Sequence, residues 1–280
     1  MVIAYQVNLG AGGARNRGIA LAHGSRLSFI DPDDYYPDSK SLELLFNAAE
    51  QNDADICGGS FSTILPNGTI TDCSFGRQAF YTLHKEGFRT FELDQDDYGW
   101  IRFMYGKAFL TKNNIKFPDM RWYEDPVFFT SAISFAEKYY VIPHVVYRYR
   151  EEFKPANWTV EKARDILKGI AANLRFALNG NYRRLYSLLV QRLDEDYYEA
   201  LIKNIEDPEV FARLIEIQTS LEPSMISSVC EASESYHLLK TLADLKDQKI
   251  GNTAIVRVAR KVSESAPYKS LQAIREKFGD

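Results

Sequence analysis

The first 150 residues alternate short apolar runs with turns built from Gly, Pro and Asp, which reads as α/β. Val2 to Val7 predicts a strand, Asn8 to Gly13 a glycine-rich turn, and Ala14 to His23 a helix closed by Gly24. Arg26 to Ile30 predicts a short buried strand that runs straight into Asp31-Pro32-Asp33-Asp34. Pro37 is expected to open the next helix, with Leu42, Leu45, Phe46 and Ala49 on its apolar face. Ala54 to Ser62 predicts a strand, and Pro66-Asn67-Gly68 a hairpin turn leading to a strand near Thr69 to Cys73. Tyr98 to Asn113 reads as partly helical, Phe117 to Asp125 as a loop, and Pro126 to Lys138 as a helix. Tyr139 to Tyr149 closes this region as a strand, interrupted or ended near Pro143.

Beyond residue 157 the texture changes. Helices are expected at 159–179, 181–204, 207–220, 223–245 and 253–277, and Asp207-Pro208-Glu209 makes a good helix start. The polar join from Glu151 to Asn157, with Pro155 inside it, marks a domain boundary: 1–152 as an α/β domain and 157–280 as a helical region. No internal repeat or low-complexity tract is present.

Composition narrows the function classes. A hydrophobic share of 45% with 26% charged residues is an ordinary globular balance. The net charge of -4 argues against a nucleic-acid binder. Cys57, Cys73 and Cys230 are far apart and match no zinc spacing, so reduced thiols in the cytosol are expected. No apolar run reaches about 18 residues, so no spanning helix is expected. The N-terminus lacks a basic region followed by an apolar run, so no secretion signal is expected either.

The chemistry concentrates after Ile30. A buried strand there delivers three carboxylates to its C-terminal end, where open α/β sheets place ligands. Carboxylates this close repel unless a cation or hydrogen-bond donors compensate, and a hard divalent ion prefers such oxygen ligands. Two readings stand side by side: a Mg2+ or Mn2+ site, and an acidic solvated turn that caps the following helix. A phosphatase of the haloacid-dehalogenase type wants Thr or Val where Tyr35 stands, and a calcium EF-hand loop wants Gly where Tyr36 stands. Gly10, Gly12 and Gly13 fit neither a P-loop nor a dinucleotide fingerprint.

Several segments in order carry a resemblance. Asn8-x-Gly10, Ala14-Arg15-Asn16-x-Gly18-Ile19 and Ala22-x-Gly24 come first, followed by Phe29-Ile30-Asp31-Pro32-Asp33-Asp34 and then Ala54-Asp55-Ile56 with Gly59. Downstream stand Phe117-Pro118, Glu124-Asp125 with Phe128, and Tyr147-x-Tyr149-Arg150. Together they resemble glycosyltransferase family 2, whose fold is GT-A: a mixed sheet flanked by helices.

The resemblance implies an inverting, metal-dependent transfer of a sugar from a nucleotide-sugar, most simply a UDP-sugar, to a hydroxyl of a glycan or lipid-linked acceptor in surface polysaccharide synthesis. It implies that Asp33, in the DxD motif, binds the metal, and that Asp31 lies near the nucleotide with Asp34 close by. Asp125 becomes the general base, and Arg15 and Asn8 join the donor side. For Arg15 a salt bridge to an acidic neighbour is the alternative, and for Glu124-Asp125 a simple helix cap. His144 as a late metal ligand, Trp100 and Trp122 as sugar-stacking rings, and Arg102 and Lys107 as acceptor contacts each compete with ordinary structural roles.

Relatives in this family usually begin with a strand–helix–strand unit that builds much of the nucleotide pocket. Here the chain starts at what resembles the third strand, so about fifty to sixty residues are expected to be missing. The sheet would then need another chain, or an upstream segment, to cover its edge. A non-catalytic remnant or glycan-binding module is therefore the alternative to an enzyme. From Asp247 to Asp280 there are seven Lys or Arg against four Asp or Glu, so Ile255 to Val262 is open to two readings: a solvated helix, or a peripheral contact with the inner membrane face.

Overall fold

The computed structural model describes residues 8–72, 81–151 and 157–226. The chain divides into two compact units, Met1–Ala156 and Asn157–Asp280. The strand expected at Val2 to Val7, the cysteines Cys73 and Cys230, Pro155, most of the helix expected at 223–245, and the basic tail lie outside the described residues.

Unit one opens on helix α1 (Gly10–Leu21), strand β1 (Arg26–Ser28) and helix α2 (Ser41–Gln51). Strands β2 (Ile56–Ile64), β3 (Ile70–Thr71) and β4 (Gly87–Thr90) follow, then a short helix α3 (Phe91–Asp94) and a 3-10 turn at Trp100–Arg102. Strand β5 (Phe103–Gly106), helices α4 (Lys107–Lys112) and α5 (Glu124–Ala136), and the long strand β6 (Lys138–Arg150) complete it. The strands form one mixed sheet in the order β1-β5-β2-β6-β4, with β3 paired to β2 as a hairpin. Only β2 and β6 run parallel; β1–β5, β5–β2 and β4–β6 are antiparallel. Tyr105, Tyr139, Tyr147, Phe103, Phe117 and Phe128 are fully buried, so aromatic rings fill much of this core.

Several expectations change here. Gly10, Gly12 and Gly13 lie inside α1 rather than in a turn before it, and the helix stops at Leu21, short of Gly24. The Asn8 side chain accepts the Gly10 N–H at 2.8 Å, and Gly10 has φ +73°, so the chain enters the helix through a residue that only glycine adopts easily. Pro37 does not open α2; Asp38 accepts the Lys40 N–H at 2.8 Å and bonds the Ser41 hydroxyl, and this local turn delays the helix to Ser41. On α2, Leu45 and Ala49 are buried, while Leu42 and Phe46 remain exposed. The region read as helical around residue 103 contains β5, whose four residues are all buried and so show no alternation. Strand β1 is shorter than expected and half-buried. Strand β6 runs unbroken through Pro143, the parallel pairing with β2 shifting register between Gly58 and Ser60 to accommodate it.

Unit two is helical over its described residues: α6 (Val160–Asn179), α7 (Arg183–Asp194), α8 (Tyr198–Lys203) and α9 (Pro208–Ser220). Ile166, Ile170 and Leu174 form the buried stripe of α6, with Leu178 exposed at its end. Thr159 caps α6 and Asp207 caps α9 through side-chain oxygens. The single helix expected at 181–204 is two, broken where Tyr197 N–H turns back to the Arg192 carbonyl at 2.9 Å. Among the described residues no helix is long and apolar enough to cross a membrane.

Candidate active site

The acidic segment after β1 is a tight turn, closed by the Asp34 N–H on the Asp31 carbonyl at 3.1 Å. It then runs antiparallel beside β6, where Tyr35 pairs with Arg148. The Tyr147-x-Tyr149-Arg150 end of β6 holds the turn in place. Tyr147 Oη donates to Asp34 Oδ2 at 2.7 Å and accepts the Asp31 N–H at 3.2 Å. Arg150 gives its backbone N–H to Asp34 Oδ1 at 2.7 Å and its Nε–H to the Asp33 carbonyl at 3.0 Å.

The three carboxylates therefore differ in work. Asp34 is buried with both oxygens taken by the protein, and burial pushes its carboxyl above the usual range. It anchors the turn through one internal donor on each oxygen, and a carboxylate oxygen that accepts one bond still has a lone pair for a ligand. Asp31 is half-exposed and paired with Arg15 at 2.7 Å. Asp33 is exposed, its carboxylate free to face solvent.

On the other side stands the start of α5. Tyr123 precedes it with φ +65°, an unusual conformation for a large side chain, and its hydroxyl donates to the fully buried Asp97 at 3.2 Å. Glu124 and Asp125 then form the first helical turn, and neither acts as a side-chain cap. Burial raises the Glu124 carboxyl, partly offset by Arg15. Asp125 retains some accessible surface, yet protein encloses it on most sides. Its desolvation, with the charge of Glu124 next in size, pushes its carboxyl up to about 7.

Helix α1 ties the two sides together. Arg15 reaches Asp31 Oδ1 at 2.7 Å with one nitrogen and Glu124 Oε1 at 2.9 Å with the other. The two carboxylates are thus no more than about 8 Å apart, across one guanidinium fork. Asn16 clasps the peptide of Phe117, donating to its carbonyl at 2.8 Å and accepting its N–H at 2.8 Å. A Cβ on Gly12 would stand 3.1 Å from Glu124 Cγ and 3.2 Å from Phe117 Cβ, so glycine permits this close approach. Asn8 lies at the same end, its carbonyl accepting from Arg121 at 3.3 Å and its side chain serving the Gly10 turn.

The remaining candidates fall elsewhere. Trp100 is buried among Phe29, Phe117 and Phe128, while Trp122 is 44% exposed. Arg102 is buried and donates to the Gly59 carbonyl at 2.9 Å, and Lys107 bonds the Ala22 carbonyl, so both have structural work. His144 pairs with Asp38 at 2.9 Å, six residues and about 20 Å of strand from Arg150, which holds Asp33. Sequence reasoning left Asn16 without a role and gave none of the clamping to Tyr147 and Arg150. The polar residues in a motif otherwise spaced for packing were the available signal.

Among the described residues no group of three or more His, Cys, Asp or Glu is set to hold a metal ion. The donor chemistry at Asp33 nonetheless fits a hard cation, because Mg2+ commonly takes one or two carboxylates and completes its shell with phosphates and water.

Comparison with known proteins agrees with this geometry. Residues 2–115 match glycosyl transferase family 2. The chain is 32% identical over 162 residues to the uncharacterized glycosyltransferase EpsJ of Bacillus subtilis (strain 168), a match covering 53% of this chain and 44% of EpsJ. It is 26% identical over 153 residues to glycosyltransferase EpsH of the same organism, again 53% of this chain and 44% of that protein. The chain thus matches less than half the length of these relatives. The fold superposes on residues 1-349 of S. aureus TarS in complex with UDP-GlcNAc with a TM-score of 0.64 at 16% identity, covering 94% of this chain and 75% of that one. The UDP complex of the same protein gives 0.62 at 17% identity, covering 91% and 71%. Residues 2–115 are thus similar to glycosyl transferase family 2, and the mixed sheet that carries this acidic turn has a GT-A fold.

Proposed function

We propose that the chain transfers a sugar from a nucleotide-sugar donor to a hydroxyl of a glycan or lipid-linked acceptor, with inversion at the anomeric carbon. The observation that carries this reading is the bridge from the acidic turn to the start of α5: Asp31 and Glu124 share Arg15, which sets Asp125 beside the turn that carries Asp33. Asp125 takes the proton of the acceptor hydroxyl. A carboxyl raised to about 7 suits a general base near neutral pH. The acceptor oxygen attacks the sugar C1 from the face opposite the diphosphate, and the C1–O bond to phosphate breaks. Asp33 would hold Mg2+ or Mn2+, which when bound neutralises charge on the leaving diphosphate. Asp31 lies toward the nucleotide. The UDP and UDP-GlcNAc complexes of TarS favour a UDP-sugar as the first donor to try.

Surface polysaccharide or glycolipid assembly on the cytoplasmic side is the setting we infer. The free, buried thiol of Cys57 fits a reducing compartment. Liposome co-sedimentation of the full chain tests the membrane contact, and no binding at low salt would remove it.

Turnover with a panel of UDP-sugars and Mn2+ or Mg2+ tests the central reading. Transfer that Asp33→Ala and Asp125→Asn each abolish is expected. Donor hydrolysis and transfer both absent from the full chain, with glycan still bound, would instead favour a binding module.

A further inference from the structure

We propose that Arg15 is a positioning residue: its guanidinium fixes the start of α5, and with it Asp125, against the acidic turn after β1. This rests on the reading of the site as a transfer centre, and it differs from a grip on the donor diphosphate.

Arg15 is already committed to protein partners. One nitrogen is paired with Asp31, another with Glu124, and the plane lies over Trp100 at 4.7 Å and Phe117 at 5.3 Å from the ring centroids. The side chain is only 16% exposed. To reach a phosphate it would have to leave two carboxylates, one of them nearly buried, unpaired.

The neighbours of Arg15 do the same kind of work. Gly12, Arg15 and Asn16 stand at i, i+3 and i+4, on one face of α1. Gly12 admits the side chains of Phe117 and Glu124 at close range, and Asn16 bonds both polar groups of the Phe117 peptide. That face is a template for the segment 117–124. The segment contains the left-handed Tyr123, a conformation that persists only where surroundings impose it. Lysine could supply the charge but neither the two-pronged fork nor the flat face against Trp100.

Steady-state kinetics on Arg15→Ala and Arg15→Lys test this, with a melting temperature for each. Arg15→Ala is expected to lower kcat about 10²-fold, the usual cost of a misplaced group, with the donor KM little changed. Arg15→Lys is expected to leave most of that loss in place. Full recovery in Arg15→Lys, or a donor KM raised about tenfold with kcat kept, overturns the proposal. Amide hydrogen exchange in the same proteins without substrate reads the latch independently of turnover. Faster exchange across 117–125 in Arg15→Ala supports it, and unchanged exchange overturns it. If Arg15→Ala does not fold, Glu124→Gln, which weakens one prong, serves in its place and is read by exchange alone: faster exchange across 117–125 supports the proposal and unchanged exchange overturns it. A native chain with no transfer at all strikes the functional reading, and the exchange result alone then decides the latch.

Discussion

Tyr147 donates its hydroxyl to Asp34 at 2.7 Å, and so the end of β6 clamps the acidic turn from beneath. The bond spans 113 residues of sequence and joins two motifs that carry the family resemblance. It explains why a tyrosine rather than a phenylalanine closes that strand. Tyr147→Phe should cost about 1–3 kcal/mol, because it strands a buried carboxylate oxygen. Chemical denaturation of the two proteins checks this. A loss of donor affinity alongside would follow from a loosened turn.

Asp125→Asn should abolish transfer and yet stabilise the chain above neutral pH. The folded state holds this carboxyl at about 7 against an ordinary 3.8. Between those values the unfolded chain gives up a proton that the folded chain keeps, so stability falls as pH rises through the window. Asparagine removes that cost. A gain of about 2–4 kcal/mol at high pH that fades toward acid is expected in thermal melts taken across the range.

The same carboxyl predicts the acid limb of the rate profile. The donor-saturated acceptor kcat/KM should fall below about pH 7 as the base becomes protonated. Glu124 raises Asp125 by its charge, so Glu124→Gln should move the limb to lower pH. Since the two carboxyls interact, the limb belongs to the pair. A limb unmoved by Glu124→Gln would show that another group titrates.

Asp33 offers the opposite combination to Tyr147. It is exposed, so Asp33→Ala should leave the unfolding free energy within about 0.5 kcal/mol of the native chain. Transfer should nonetheless vanish, and a chelator should reproduce that loss in the native protein. Mn2+ titration with and without UDP measures the binding directly.

The α/β character and several turns could be read from residue order alone, because glycine, proline and carboxylate patterns are local. The turn at Pro66-Asn67-Gly68 forms as its composition requires, with Gly68 at φ +85°. What escaped were relationships across the sheet. In sequence Asp34 looks like its neighbours, and only the fold brings Tyr147 and the Arg150 backbone onto its two oxygens. Arg15 had two readings in sequence, a donor-side contact or a salt bridge to an acidic neighbour, and only packing put two carboxylates on it. Strand β5 escaped for a different reason: Phe103 to Gly106 is buried on both faces, so it lacks the alternation that marks a half-buried strand. Pro37 misled because the side chain of the next residue, Asp38, captured the backbone first.

Paramagnetic broadening by Mn2+ and UDP, read at the Asp125 side-chain carboxyl, addresses the heart of the account. Saturating Mn2+ with UDP should broaden that resonance in the native chain and leave it sharp in Asp33→Asn. A resonance at Asp125 untouched by Mn2+ with UDP, or broadened equally when Asp33 is replaced, would contradict a shared site.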